Sequence, residues 1–349
     1  MYVREILAPR GSPVENGKPL AGTWDTAFAQ VSLLDIHRPY SCPLPRWIRD
    51  WRIKEWENFS IQNEHFIMEA FLGNFKAYQF SFVILFDKES GEQYTYHQKM
   101  PGNSWKLPRK LTHGSVECRS PRFFFRVHTW LNADTVSLDI DIAATKKQPA
   151  FTADIAFNMS SQYVTPLTVS LNFNERRNMY AFKALTPARG DIELGGKHTN
   201  LDPAHCSGFF RDYKGFFPYQ MRGIFCGGMG FDGENRRYGF HVVENQAKET
   251  RKNNENALWV DGQLTPLPPV KITMPQGMES DWVIQDLEGM VDLVFTPQKI
   301  SRFGTQLLIT NSDFFTAMGY YNGMLVNAQE EQIQVRNQWG IGEKLYLRV

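Results

Sequence analysis

The sequence predicts an all-β protein with an irregular N-terminal arm and little helix, and three observations carry that expectation. From Ile53 onward the apolar segments are short, aromatic or β-branched, and bounded by turn residues rather than helix caps. Several alternate apolar and polar residues with period two, as a half-buried strand requires. They recur at the spacing of sandwiches and barrels, and no segment carries a long 3.6-residue apolar stripe capped at both ends.

Each element follows in order. Residues 1–50 hold Pro9, Pro13, Pro19, Pro39, Pro43 and Pro45, too many interruptions for a helix or a central strand, so they are expected to form a wrapping arm. The clearest strand is Val136–Ile142, where Ser137, Asp139 and Asp141 alternate with apolar residues. Phe151–Phe157 repeats the pattern one loop later, and the two are expected to pair. Further strands are expected at Tyr238–Val243, Ala257–Val260 before the hairpin dipeptide Asp261-Gly262, Trp282–Asp286, Met290–Phe295, Tyr320–Val326, Ile333–Val335 and Lys344–Arg348. Asp313–Met318 is the one place expected to give a short helix. About sixteen strands exceed what one small barrel closes, so two sequential antiparallel barrels or strongly curved sheets are expected, over 51–200 and 201–349.

Composition removes several function classes. Of the 349 residues, 38 are basic and 37 acidic, a net charge of +1 that provides no long-range field for nucleic acid or an anionic membrane. Cys42, Cys118, Cys206 and Cys226 are far apart and form no CxxC pair, which suits a reducing, cytoplasmic setting and no zinc ribbon. The N-terminus lacks the apolar core of a signal peptide, and Glu69, Lys76 and Gln79 interrupt the most apolar stretch, Phe66–Phe86, so no transmembrane segment is expected. Gly228-Met-Gly230-Phe-Asp-Gly233 matches the dinucleotide glycine pattern but leads into a strand instead of a helix, which makes it a hairpin. No metal and no cofactor is expected.

Candidate polar groups remain. Lys183 follows Tyr180 and Phe182 in an aromatic strand, where it would serve as an acid, a base or an anchor, or snorkel to the surface. Arg211 to Tyr219 mixes opposite charges with aromatics; Asp212 and Lys214 would either floor a ligand site or pair on one strand face. Asn245, Glu255 and Asn256 bracket a charged loop, where they would reach into a barrel mouth or cap that loop. Arg122, Phe124, Arg126, His128 and Trp130 alternate onto one face, either a cavity wall or an exposed face of stacked cations and rings. Arg52, Lys54 and Trp56 alternate likewise.

Lys54-Glu-Trp56, Tyr180–Lys183 with Thr186-Pro187, Asp212–Gly215 through Pro218-Tyr219, Asn245, Glu255–Gly262 and Asp292–Pro297 together resemble the bacterial domain-of-unknown-function family 2804, from about Tyr40 to Arg348. The chain departs from that pattern at Gln220, where the family carries arginine, and at Ile224–Cys226, where it carries a tryptophan-rich strand. The family is similar in fold to the lipocalin-like double barrels of the carotenoid hydratase and AttH-like group. The resemblance implies two lipocalin-like barrels and an apolar small-molecule partner, isoprenoid or lipid-like. If the protein is an enzyme, it is expected to be a cofactor-free hydratase, isomerase or cyclase. Asp212 or Glu255 would donate the proton, Lys183 or Tyr219 would fix the substrate, and Lys214, Asn245, Asn256, Arg126, His128 and Trp130 would line its site. The alternatives are a non-catalytic carrier and an interaction module.

Overall fold

The computed structural model describes residues 2–306 and 310–348. The chain is nearly all strand, in two curled antiparallel sheets beside a small ribbon of β1 (Val14–Glu15) and β2 (Lys18–Pro19). The first sheet contains β3 (Gly22–Trp24), β4 (Lys54–Gln62), β5 (Phe66–Asn74), β6 (Tyr78–Asp87), β7 (Gln93–Pro101), β8 (Gly114–Ser120), β9 (Phe123–Trp130), β10 (Thr135–Ile142), β11 (Phe151–Asn158), β12 (Leu167–Asn172), β13 (Asn178–Leu194), β14 (Lys197–Leu201) and β15 (Ser207–Gly215). Its main path runs β7-β6-β5-β4-β15-β13-β11-β10-β9-β8. A bond from the Ser120 hydroxyl to Gln98 joins its two ends, so the curl nearly closes. The second sheet contains β16 (Gln220–Phe231), β17 (Arg237–Glu244), β18 (Ala257–Val260), β19 (Gln263–Pro266), β20 (Lys271–Thr273), β21 (Trp282–Gln285), β22 (Val291–Gln306), β23 (Asn311–Val326) and β24 (Gln332–Arg348).

Local chemistry explains the clearest pairings. β10 and β11 form the expected hairpin with Val136 opposite Phe157; Val136, Leu138, Ile140, Ile155 and Phe157 enter the core while Ser137 and Asp139 face outward. Asp261 and Gly262 join β18 to β19 with φ of 47° and 76°, the double positive pair a tight hairpin turn needs. The long β13 serves two sets of partners, pairing first with β12 and then with β11. Gly190 permits that change: its φ is +136°, and a Cβ there would sit 2.0 Å from the Asp154 carbonyl oxygen.

Four expectations need correction. Arg46–Arg52 forms a helix, α1, inside the proline-rich arm. Pro39, Pro43 and Pro45 all precede its first turn, where a missing N–H costs nothing. Arg52 therefore ends a helix and does not alternate with Lys54 and Trp56 on a strand. Asp313–Met318 lies within β23, where Phe314 and Met318 face one way and Phe315 and Ala317 the other; burial on both faces hides the period of two. The chain passes between the sheets after Gly215 and before Gln220, not at residue 200, because β15 lies between β4 and β13 of the first sheet.

The sheets pack back to back. Trp24, Phe28 and Val31 of the arm join Phe59, Val127 and Phe210 inside the first curl, and Phe240, Phe295 and Tyr321 fill the second. Both interiors are filled with apolar side chains. A third apolar layer, including Trp56, Phe71, Phe82, Phe209, Phe303, Phe314 and Ile341, lies between the sheets.

Candidate functional site

Alternation along β15 sorts its polar residues onto two faces. Arg211 and Tyr213 point into the layer between the sheets, with Phe209, while Asp212 and Lys214 point into the first curl, with Phe210. Neighbouring strands repeat the division: Ser60 of β4, Glu69 of β5 and Lys183 of β13 face the layer beside Arg211. From the second sheet come His241 of β17 and Glu343 of β24.

The result is a buried ionic network in an aromatic setting. Arg211 places Nη2 2.6 Å from Glu69 Oε1 and 2.9 Å from Ser60 Oγ, and Nη1 2.8 Å from His241 Nε2 and 3.4 Å from Glu343 Oε2. The Ser60 hydroxyl and the Asn58 amide donate to Glu69. Lys183 Nζ lies 2.8 Å from Glu255 Oε2, 2.8 Å from the Glu255 carbonyl oxygen and 2.8 Å from His241 Nδ1. Asn245 donates to the other Glu255 oxygen at 2.7 Å.

Burial sets the protonation. It pushes Glu69 up to about 7 against the pull of Arg211, and raises Glu343 with the same opposition. It lowers Lys183 to about 8, with Glu255 opposing. His241 falls well below its ordinary value through burial, then Lys183 and Arg211, so the ring is neutral. Burial disfavours the charge on Arg211, but Glu69 and Glu343 outweigh it and hold the guanidinium protonated.

Two adjoining cavities of about 10 and 20 Å³ meet this network. The first is walled by Ile67, Phe209, Met229 and Ile341, the second by Trp56, Phe71, Tyr213 and Phe314. Arg211, Glu343 and Phe225 line both. The free room in each admits little more than a water-sized guest. The buried Tyr213 hydroxyl has no hydrogen-bond partner among the described residues.

The structure brings Lys183, Glu255 and Asn245 together and leaves the other sequence candidates elsewhere. Asp212 and Lys214 pair at 3.0 Å inside the first curl, and Lys214 also donates to the Pro108 carbonyl. Opposite Asp212 stands Glu57, raised to about 8 by burial and then by Asp212. Asn256 accepts from the Val243 N–H and donates to the Pro268 carbonyl, which ties strand ends together. Tyr219 is exposed at the passage between the sheets. Arg126, His128 and Trp130 lie on the outer face of β9 and form no cavity wall; Arg126 pairs with Asp139 at 2.5 Å, and Trp130 stacks on His113. Cations and rings do meet there, as the exposed-face reading expects.

Sequence reasoning did not single out Arg211, Glu69, His241 or Glu343. Glu69 left a signal, as a charge inside the apolar run Phe66–Phe86, and His241 another, as a lone polar residue in Tyr238–Val243. Among the described residues no cluster of metal-ligating side chains occurs, and no helix is long and apolar enough to cross a membrane.

Comparison with solved structures finds the same fold. The crystal structure of CghA matches with a TM-score of 0.52 at 12% identity, over 84% of this chain and 87% of that one. Kievitone hydratase from Nectria haematococca matches with a TM-score of 0.51 at 12% identity, over 84% and 88%. At that identity the likeness is one of fold, and it extends the resemblance to the double-barrel group from motifs to architecture. No functionally curated protein is similar in sequence. The family model described as "Domain of unknown function (DUF2804)" matches residues 3–348, and the chain belongs to that family.

Proposed function

We propose that the cleft between the two sheets binds an apolar small molecule, isoprenoid or lipid-like, and that the protein acts on it as a cofactor-free hydratase, isomerase or cyclase. The observation that carries this reading is the convergence of two apolar-walled cavities on one ion pair, buried Arg211 and half-buried Glu343. A carrier needs no such pair, and stability alone does not call for one, because a buried ion pair rarely outperforms apolar packing. Phe225 is part of both walls, so a ligand larger than water enters as that ring turns aside.

The chemistry follows from the raised carboxyl groups. Glu343 faces both cavities, and burial favours its protonated form, the condition a general acid needs near neutral pH. It would give its proton to one carbon of a bound double bond. The cation formed on the other carbon would lie among the faces of Trp56, Phe71 and Phe225. Water adding to that carbon and returning a proton to Glu343 completes a hydration; loss of a neighbouring proton to the Glu343 carboxylate completes an isomerisation. Lys183 and Glu255 hold His241, which together with Glu69 fixes the Arg211 guanidinium. The hydratase among the structures similar in fold is compatible with this class of reaction.

The test uses farnesol as ligand in deuterated water. The wild-type protein is expected to bind it and to return it carrying deuterium at a former alkene carbon. Glu343→Gln is expected to bind within about threefold and to leave the ligand unlabelled. Binding without label in both proteins would favour the carrier, and no binding in either would remove the cleft as an apolar site.

A further inference from the structure

We propose that the mouth of the first curled sheet docks on an anionic phospholipid surface, with Trp47 as the side chain that enters the headgroup region. Trp47 stands on α1 with 73% of its surface exposed, beside exposed Pro43, Pro45 and Arg46 and half-buried Leu44. The helix is firmly seated: Arg49 donates to the Leu34 and Ile36 carbonyls at 2.9 and 2.8 Å, so the exposure of Trp47 does not come from a loose segment.

Charge gathers around this tip. Between residues 38 and 54 four arginines (Arg38, Arg46, Arg49, Arg52) stand against one acidic residue, Asp50, a local +3 in a chain whose total is +1; Lys54 is buried and does not add to it. Lys106 and Arg109 share a pocket wall with Asp50 and Ile53, which places two more exposed cations beside α1. The acidic side chains of that wall are already engaged, since Lys76 pairs with Glu55 at 3.1 Å and with Asp50 at 3.6 Å. Arg46, Lys106 and Arg109 have no ion-pair partner among the described residues.

An exposed tryptophan next to Arg46, with the cations Lys106 and Arg109 on the pocket wall beside the same helix, matches what an anionic leaflet offers: a headgroup region that accepts amphipathic rings, and a negative surface that attracts cations lying within a Debye length. A nucleic acid would also attract the cations. The apolar run Pro43-Leu44-Pro45 beside Trp47 fits acyl-chain boundaries better than a phosphate backbone. The docking surface rests on exposure and charge alone and does not depend on the cleft.

The experiment is flotation of the full chain with phosphatidylcholine vesicles, with and without phosphatidylserine. Binding is expected only with phosphatidylserine and is expected to fall steeply as salt rises. Trp47→Ala is expected to weaken it about tenfold. The double variant Lys106→Glu, Arg109→Glu is expected to weaken it more than tenfold, at about fivefold for each cation near the surface. Phe225→Trp, which alters the cleft, is expected to leave flotation unchanged, so this surface and the cleft fail separately. Equal binding to both vesicle types, no binding to either, full binding by the variants at unchanged urea midpoints, or tighter binding to single-stranded DNA than to the vesicles would each overturn the proposal.

Discussion

Lys183 Nζ lies 2.8 Å from Nδ1 of His241, and Nε2 of the same ring lies 2.8 Å from Nη1 of Arg211. A guanidinium only donates, so Nε2 accepts and the ring proton sits on Nδ1, aimed at Lys183. Lys183 donates to the Glu255 carbonyl oxygen and pairs with the Glu255 carboxylate at 2.8 Å. The ring N–H has an acceptor when Lys183 is a neutral amine, which still donates to that carbonyl oxygen. Its lowered pKa of about 8 brings that form within reach. Histidine ¹⁵N NMR is expected to show the Nδ1–H tautomer, with a perturbation near pH 8 that disappears in Lys183→Met. An Nε2–H tautomer, or an ordinary titration near 6.5, would contradict the network.

Glu57 supplies a pH-dependent prediction of opposite sign. Its folded pKa is raised from 4.5 to about 8, so the folded state binds more protons between those values and stability falls as pH rises through that window. Glu57→Gln cannot ionise. It is expected to gain stability over the wild type on the order of 1–4 kcal/mol at pH 8 to 9, a gain that shrinks toward pH 4.5. Urea midpoints across that range measure it, and a gain that stayed constant with pH would show that Glu57 does not titrate as described.

Arg211 and Arg126 differ in what surrounds them. Arg211→Met strands Glu69 and Glu343 between the sheets and is expected to cost about 3–5 kcal/mol. Arg126→Ala breaks a pair whose side chains are 36% and 42% exposed, where water screens the charges, and is expected to cost less than about 1 kcal/mol. Urea denaturation ranks the two; equal losses would mean that the Arg211 network carries no special burden.

Much of the fold was legible because its signals are local. The period of two in Val136–Ile142 and Phe151–Phe157 specifies both faces of a hairpin, and Asp261-Gly262 specifies its own turn. The site is less legible because its contacts are distant: Ser60 and Arg211 stand 151 positions apart, and the pairing of β4 with β15 leaves no trace in either segment alone. Asp212 drew attention as part of a mixed cluster, yet a single step along β15 puts it on the opposite face of the sheet from Arg211. Lys183 was recognisable as a polar residue among aromatics and Glu255 as the edge of a charged loop, whereas their meeting with His241 depends on how one sheet lies against the other.

Phe225 offers a size test of the cleft. Phe225→Trp adds bulk where the two cavities adjoin, and overpacking of this kind typically costs about 1–3 kcal/mol. Affinity for farnesol is expected to fall at least tenfold, while Trp130→Ala, on the outer face of β9, leaves it unchanged. Competition against a fluorescent polyene fatty acid reads both.

Native mass spectrometry of protein taken from its source cell tests most directly whether the layer between the sheets holds a guest. The wild-type chain is expected to carry an apolar small molecule that is absent from Phe225→Trp prepared in the same way. A wild-type protein that carries nothing and takes up no isoprenoid or lipid-like compound, or a Phe225→Trp variant with the same guest at the same occupancy, would contradict the account.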